Sequence, residues 1–115
     1  MLDKQLDKAS GEYVRAIKRT AVYKAYRTQL ERMKQQPELY AQVNEFCRRN
    51  YEIQNSSQAD DLFDKIDAFE KEYEKFRENP LVDEFLRAEL ALCRMMQEID
   101  IFLTEELDFD MGSVC

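Results

Sequence analysis

Leu81, Phe85, Ala88, Leu92, Met95, Ile99 and Phe102 succeed one another at spacings that alternate between four residues and three. An α-helix returns to the same side every three or four residues, so this series predicts one long helix with a single apolar face. A second stripe, Val82, Leu86, Cys93, Met96 and Leu103, widens that face beyond what one neighbouring helix covers. The same rhythm recurs upstream. It runs through Leu62, Ile66, Phe69, Tyr73 and Phe76, and before that through Leu39, Val43, Phe46, Asn50 and Ile53. At the start of the chain Leu6, Ala9, Tyr13, then Ala16 or Ile17, Thr20, Tyr23, Leu30 and Met33 trace a less regular version.

Interruptions to this periodicity set the boundaries. Pro37 and Pro80 each suit the first turn of a helix, where a missing N–H costs nothing. Each also pushes the preceding residue, Gln36 or Asn79, out of helical conformation, and Asn79 is a good N-cap. Asn55-Ser56-Ser57-Gln58 reads as a loop, with Asp60 or Asp61 capping the helix that follows. Four helical segments are expected, near 3–35, 38–54, 60–78 and 81–107. The fold class is all-α: antiparallel helical hairpins or a bundle of four segments broken at Pro37 and Pro80, and dimeric. Residues 1–110 form one domain in this reading, and 111–115 a short flexible tail. Glu31-Arg32-Met33-Lys34-Gln35-Gln36-Pro37 also matches Glu74-Lys75-Phe76-Arg77-Glu78-Asn79-Pro80 in residue class, either as an internal repeat or as the shared vocabulary of helix ends.

Composition narrows the chemistry. Only two Gly and two Pro occur in 115 residues, while charged residues reach 36% and hydrophobic ones 44%, which favours a folded helical chain over a disordered one. There is no histidine, which removes the commonest general base and metal ligand. Gly11 and Gly112 are too far apart to form a phosphate-cradling loop. No catalytic residue, metal site or cofactor is expected, and the chain reads as a non-enzyme. Cys47, Cys93 and Cys115 are odd in number and widely spaced, as reduced thiols are. With charged residues at the N-terminus and no long apolar run, neither a signal peptide nor a membrane span is expected, and the location is cytoplasmic.

Charge is unevenly placed within a net −7. Arg15, Lys18, Arg19, Lys24, Arg27, Arg32 and Lys34 are accompanied by a single acid, Glu31. Glu98, Asp100, Glu105, Glu106, Asp108 and Asp110 lie in a stretch without any base. Such asymmetry points to docking within the chain, between copies or onto a partner. The candidate partner interface comprises Tyr23, Tyr26, Phe85, Leu86, Leu92, Met95, Met96, Ile99 and Phe102. Arg15, Lys18, Arg19, Lys24 and Arg27 form a candidate basic face that an RNA-associated accessory protein would use. The acidic net charge makes direct nucleic-acid contact the lesser expectation.

Four stretches carry a resemblance to a known family: Ile17-Lys18-Arg19-Thr20-Ala21-Val22-Tyr23-Lys24-Ala25-Tyr26; Pro37-Glu38 with Val43-Asn44-Glu45-Phe46-Cys47-Arg48; Asn79-Pro80-Leu81-Val82; and Phe85-Leu86-Arg87-Ala88-Glu89. In order and spacing they resemble the YlbF/YmcA family of small helical bacterial regulators. That resemblance implies an all-helical, non-catalytic, often homodimeric regulator or adaptor of competence, biofilm formation and RNA processing. Its implied partners are a second copy, other family members or an RNA-processing complex. Some members hold iron–sulfur clusters through cysteines near the C-terminus. Here only Cys115 lies near the end, with Thr20 standing where the family motif has Ser.

Overall fold

The computed structural model describes residues 3–56 and 59–109. Six α-helices follow in order: α1 (Lys4–Lys18), α2 (Ala21–Lys34), α3 (Pro37–Ser56), α4 (Ala59–Glu72), α5 (Glu74–Glu78) and α6 (Pro80–Glu106). No strand occurs among the described residues. The all-α expectation holds, and no helix is long and apolar enough to cross a membrane among the residues described.

Both prolines open helices, as their missing N–H allows. Asn79 is extended at φ −61°, ψ 120°, and its side-chain oxygen accepts from the Leu81 N–H at 3.0 Å, capping α6. Asp3 caps α1 in the same way, accepting from Gln5 N at 2.9 Å. At the far end of α6 the Asp108 N–H donates to the Glu105 carbonyl and the Phe109 N–H to that of Thr104, at 3.2 and 2.9 Å. This pattern closes the helix through a left-handed residue, and Asp108 supplies it at φ 51°.

Two expected segments prove to be divided. Residues 3–35 break at Arg19-Thr20, where neither Pro nor Gly stands. The Thr20 hydroxyl donates to the Ile17 carbonyl at 2.7 Å and accepts from the Tyr23 N–H at 3.1 Å, closing one helix and capping the next. Residues 60–78 break at Tyr73, whose backbone sits at φ −104°, ψ 11°. At the expected loop, α3 runs on through Asn55 and Ser56, while Ser57 and Gln58 lie outside the described residues. Asp60 and Asp61 fall inside α4 rather than before it, so neither is its N-cap. The expected tail, 111–115, also lies outside the described residues.

The chain divides into two compact units, residues 29–86 and residues 1–28 with 87–115. In the unit of residues 29–86, Leu30, Met33, Val43, Phe46, Phe69, Val82 and Phe85 are buried. The α3–α4 hairpin is held by aromatic contacts. Phe46 stacks on Phe69 with ring centroids 5.1 Å apart and meets Tyr73 edge-on at 5.2 Å and Phe76 at 5.8 Å. Arg49 bridges the same two helices. Its guanidinium donates to both Glu72 carboxylate oxygens, at 2.6 and 2.9 Å, and to the Tyr73 hydroxyl at 3.0 Å. It also lies 5.3 Å from the Tyr73 ring centroid. Arg32 on α2 pairs with Glu84 on α6 at 3.1 Å.

Within residues 3–28 and 87–109 no described residue is buried. This unit consists of α1, the first part of α2 and the distal part of α6. Ile17, Tyr23, Tyr26, Leu92, Met95 and Ile99 are half-buried, and they are its most sheltered large apolar side chains together with Val22.

Candidate interaction surface

Long helices project side chains in all directions, so the apolar groups left uncovered reveal where further packing is required. Among the described residues, ten such groups belong to the unit formed by residues 1–28 and 87–115, at 42 to 70% exposure. Leu6, Tyr13 and Val14 lie on α1, with Leu6 and Tyr13 two turns apart on one line. Leu90, Met96, Ile101, Phe102 and Leu103 lie on α6, followed by Leu107 and Phe109.

The angular spread on α6 is informative. Leu92, Met95 and Ile99 share the half-buried side. Leu90 and Ile101, eleven positions apart and so aligned after three turns, occupy the opposite side at 50 and 54% exposure. A helix carrying apolar groups on opposite sides requires cover from more than one direction. Cys93 is exposed on this same stretch.

The expected interface residues separate into three groups. Met96 and Phe102 are exposed; Tyr23, Tyr26, Leu86, Leu92, Met95 and Ile99 are half-buried. Phe85 is different. It is 2% exposed and packs edge-on against Tyr40 at 6.4 Å, which makes it core within residues 29–86 rather than docking surface. Spacing alone placed it on the α6 stripe and could not tell an internal seam from an external one. Val14, Leu90, Ile101, Leu107 and Phe109 in the unit of residues 1–28 and 87–115, and Tyr51 and Phe63 in the unit of residues 29–86, lie off the predicted stripes and are exposed apolar residues that sequence reasoning missed. A search for apolar residues opposite the main stripe would have found Leu90 and Ile101.

On the candidate basic face, Arg15, Lys18, Arg19 and Lys24 are exposed and Arg27 is half-buried. Arg15 and Lys18 occupy the last turn of α1, where positive charge favours the helix dipole. Lys24 follows at the start of α2, whose first turn contains no acid.

Elsewhere, a groove of about 570 Å³ in the unit of residues 29–86 is lined by Asp67, Glu70, Lys71, Glu74, Arg77, Glu78 and Asp83. Its carboxylates outnumber its bases, and it contains neither His nor Cys. Among the described residues no group of three or more His, Cys, Asp or Glu is arranged to hold a metal ion. The Arg49 hydrogen bonds hold the Glu72 carboxyl below its ordinary pKa, whereas burial pushes that of Glu89 upward.

A family model described as control of competence regulator ComK, YlbF/YmcA, matches residues 7–108, nearly the whole chain. The chain belongs to the YlbF/YmcA family. No curated protein and no solved structure compared with it matches. The match spans every helix from the first turn of α1 to the end of α6, so the exposed apolar residues from Tyr13 to Leu107 all fall within the YlbF/YmcA region. The family's description links it to control of a competence regulator, which gives the protein a regulatory association.

Proposed function

We propose that this YlbF/YmcA-family chain is a non-enzymatic, cytoplasmic regulatory adaptor that acts by docking the uncovered helix surfaces of α1 and distal α6 onto a protein. The observation that carries this reading is the unit of residues 1–28 and 87–115, which among its described residues has ten exposed large apolar side chains and none that is buried. Large apolar side chains left uncovered in that number mark a surface that a protein partner would cover. The family's tie to a competence regulator supplies the setting in which such contact has consequences.

The test replaces Ile101 and Phe102 together by Ser in a bacterium lacking its own copy, with a ComK-dependent reporter as readout. Control of the reporter should be lost while circular dichroism remains that of the helical wild type. A variant that regulates as well as wild type would remove this reading.

A further inference from the structure

We infer that the groove along α4, α5 and the first turn of α6, together with the exposed ring of Phe63, is a second docking surface whose occupant is a basic segment of a partner protein with an apolar side chain at one end. The surface lies wholly within residues 29–86 and does not depend on the docking proposed for α1 and distal α6.

Helical spacing builds it. Phe63, Asp67, Glu70 and Glu74 follow at intervals of four, three and four, which sets them along one side of α4 and onto α5. Although Tyr73 interrupts the helix between them, Glu74 lines the same groove as Asp67 and Glu70. Phe63 stands one turn before Asp67, and at 76% it is the most exposed large apolar side chain among the described residues. An uncovered aromatic ring therefore adjoins one end of a charged groove.

Charge chooses the occupant. The lining has five carboxylates, Asp67, Glu70, Glu74, Glu78 and Asp83, against two bases, Lys71 and Arg77. Asp67, Glu70, Glu74 and Glu78 are exposed and form no ion pair among the described residues. Arg77 lies over the Phe46 ring, 6.0 Å from its centroid. Such a lining repels nucleic acid and anionic membranes and attracts cations. Small-molecule sites are mostly apolar with a few polar groups, whereas all seven side chains lining this groove are charged. The path from Phe63 to Glu78 is on the order of 20 Å at about 1.5 Å per helical residue, the reach of about six extended residues. Lys and Arg side chains on one polypeptide meet the carboxylates along that length, and an apolar neighbour covers Phe63. A free polyamine or metal ion has nothing to offer the ring.

Fluorescence anisotropy at physiological salt tests this with the full chain and a labelled peptide in which Leu-Leu precedes a run of Lys and Arg. Circular dichroism first confirms that each variant remains helical. Wild type should bind the peptide, and more weakly as salt rises. Glu70→Lys with Glu74→Lys should weaken binding at least about tenfold. Phe63→Ser should weaken it about fivefold, and should not affect the same basic run lacking Leu-Leu. Glu105→Lys with Glu106→Lys makes the same charge change in the other unit and should leave binding within about twofold of wild type. An equal loss from both reversals overturns the inference, because net charge alone would then explain binding. Absence of binding by wild type, indifference to Phe63→Ser, or displacement of the peptide by spermine at equal charge concentration overturns it too. None of these failures touches the adaptor reading, whose test lies in Ile101 and Phe102.

Discussion

Among the described residues, 29–86 enclose seven apolar side chains, whereas the unit formed by residues 1–28 and 87–115 encloses none, although one spacing rule runs through both. In the first, a helical hairpin folds α3 against α4, and Phe46, Phe69, Tyr73 and Phe76 meet ring to ring. Arg49 then fastens the pair from the rim through Glu72 and the Tyr73 hydroxyl. In the second, Leu6, Tyr13, Leu90 and Ile101 have comparable apolar character and no comparable cover. Helical periodicity therefore determines which residues need burial, and tertiary closure determines which receive it within one chain.

The sharpest way to break this comparison is to remove one ring from each unit. Phe46→Ala should cost about 3–5 kcal/mol in urea denaturation, because Phe46 is 8% exposed and its neighbours cannot collapse fully into the space. Phe102→Ala, at 55% exposure, should cost under about 1 kcal/mol in a monomer, since its ring is already largely in water. Equal losses for the two variants at protein concentrations too low for association would show that the second unit has a core of its own.

Much of the first unit was legible in the sequence. Val43, Phe46 and Phe69 stand on the predicted stripes and are buried, and Pro37 and Pro80 open helices where they were expected to. The elbow at Thr20 was not legible by the same route. Its break is made by one hydroxyl bonding in two directions, and the Thr lies within an otherwise acceptable apolar rhythm. Nothing in the sequence marks Arg49, because its partners, Glu72 and Tyr73, are more than twenty positions away and come near only when the hairpin closes. Phe85 reads as interface in the sequence and packs on Tyr40 in the structure, because a stripe gives the direction of a side chain along a helix, not the identity of what lies opposite.

Helix ends offer a second contrast, of smaller size. Asn79→Ala removes the side-chain acceptor for the Leu81 N–H and should destabilise residues 29–86 by about 1 kcal/mol. A loss below a few tenths would mean that Pro80 alone directs the start of α6. In the other unit, Gly11→Ala should stabilise by about 0.5–1 kcal/mol, through the lower backbone entropy of Ala in a helix. Gly11 lies inside α1, and an added Cβ meets only the flexible end of Arg15, at 3.5 Å. Thermal melts of both variants would show opposite shifts. A destabilised Gly11→Ala protein would reveal a close contact at α1 that the single chain lacks, and would place a docked neighbour there.

The smallest expected effects set one carboxylate in each unit against the other as pH changes. Glu72 is exposed but accepts two hydrogen bonds from Arg49, which lower its pKa in the folded state. Its contribution to stability is therefore complete above the ordinary carboxylate pKa and is lost as pH falls through the lowered folded value. Glu89, on α6, is half-buried, and that burial raises its folded pKa. Ionisation then opposes folding, so its cost is present above the raised folded value and disappears as pH falls to the ordinary range. Comparing melting midpoints at neutral pH and near about pH 4 separates the two. Glu72→Gln should lower the midpoint at neutral pH and reduce the protein's loss of stability in acid, because the neutral amide cannot gain or lose the Arg49 ion pair. Glu89→Gln should raise the midpoint at neutral pH and leave it nearly unchanged in acid. If Glu89→Gln instead lowers stability at neutral pH, its charge is being used by a neighbour, and the distal half of α6 is less dependent on outside cover than its exposed residues imply.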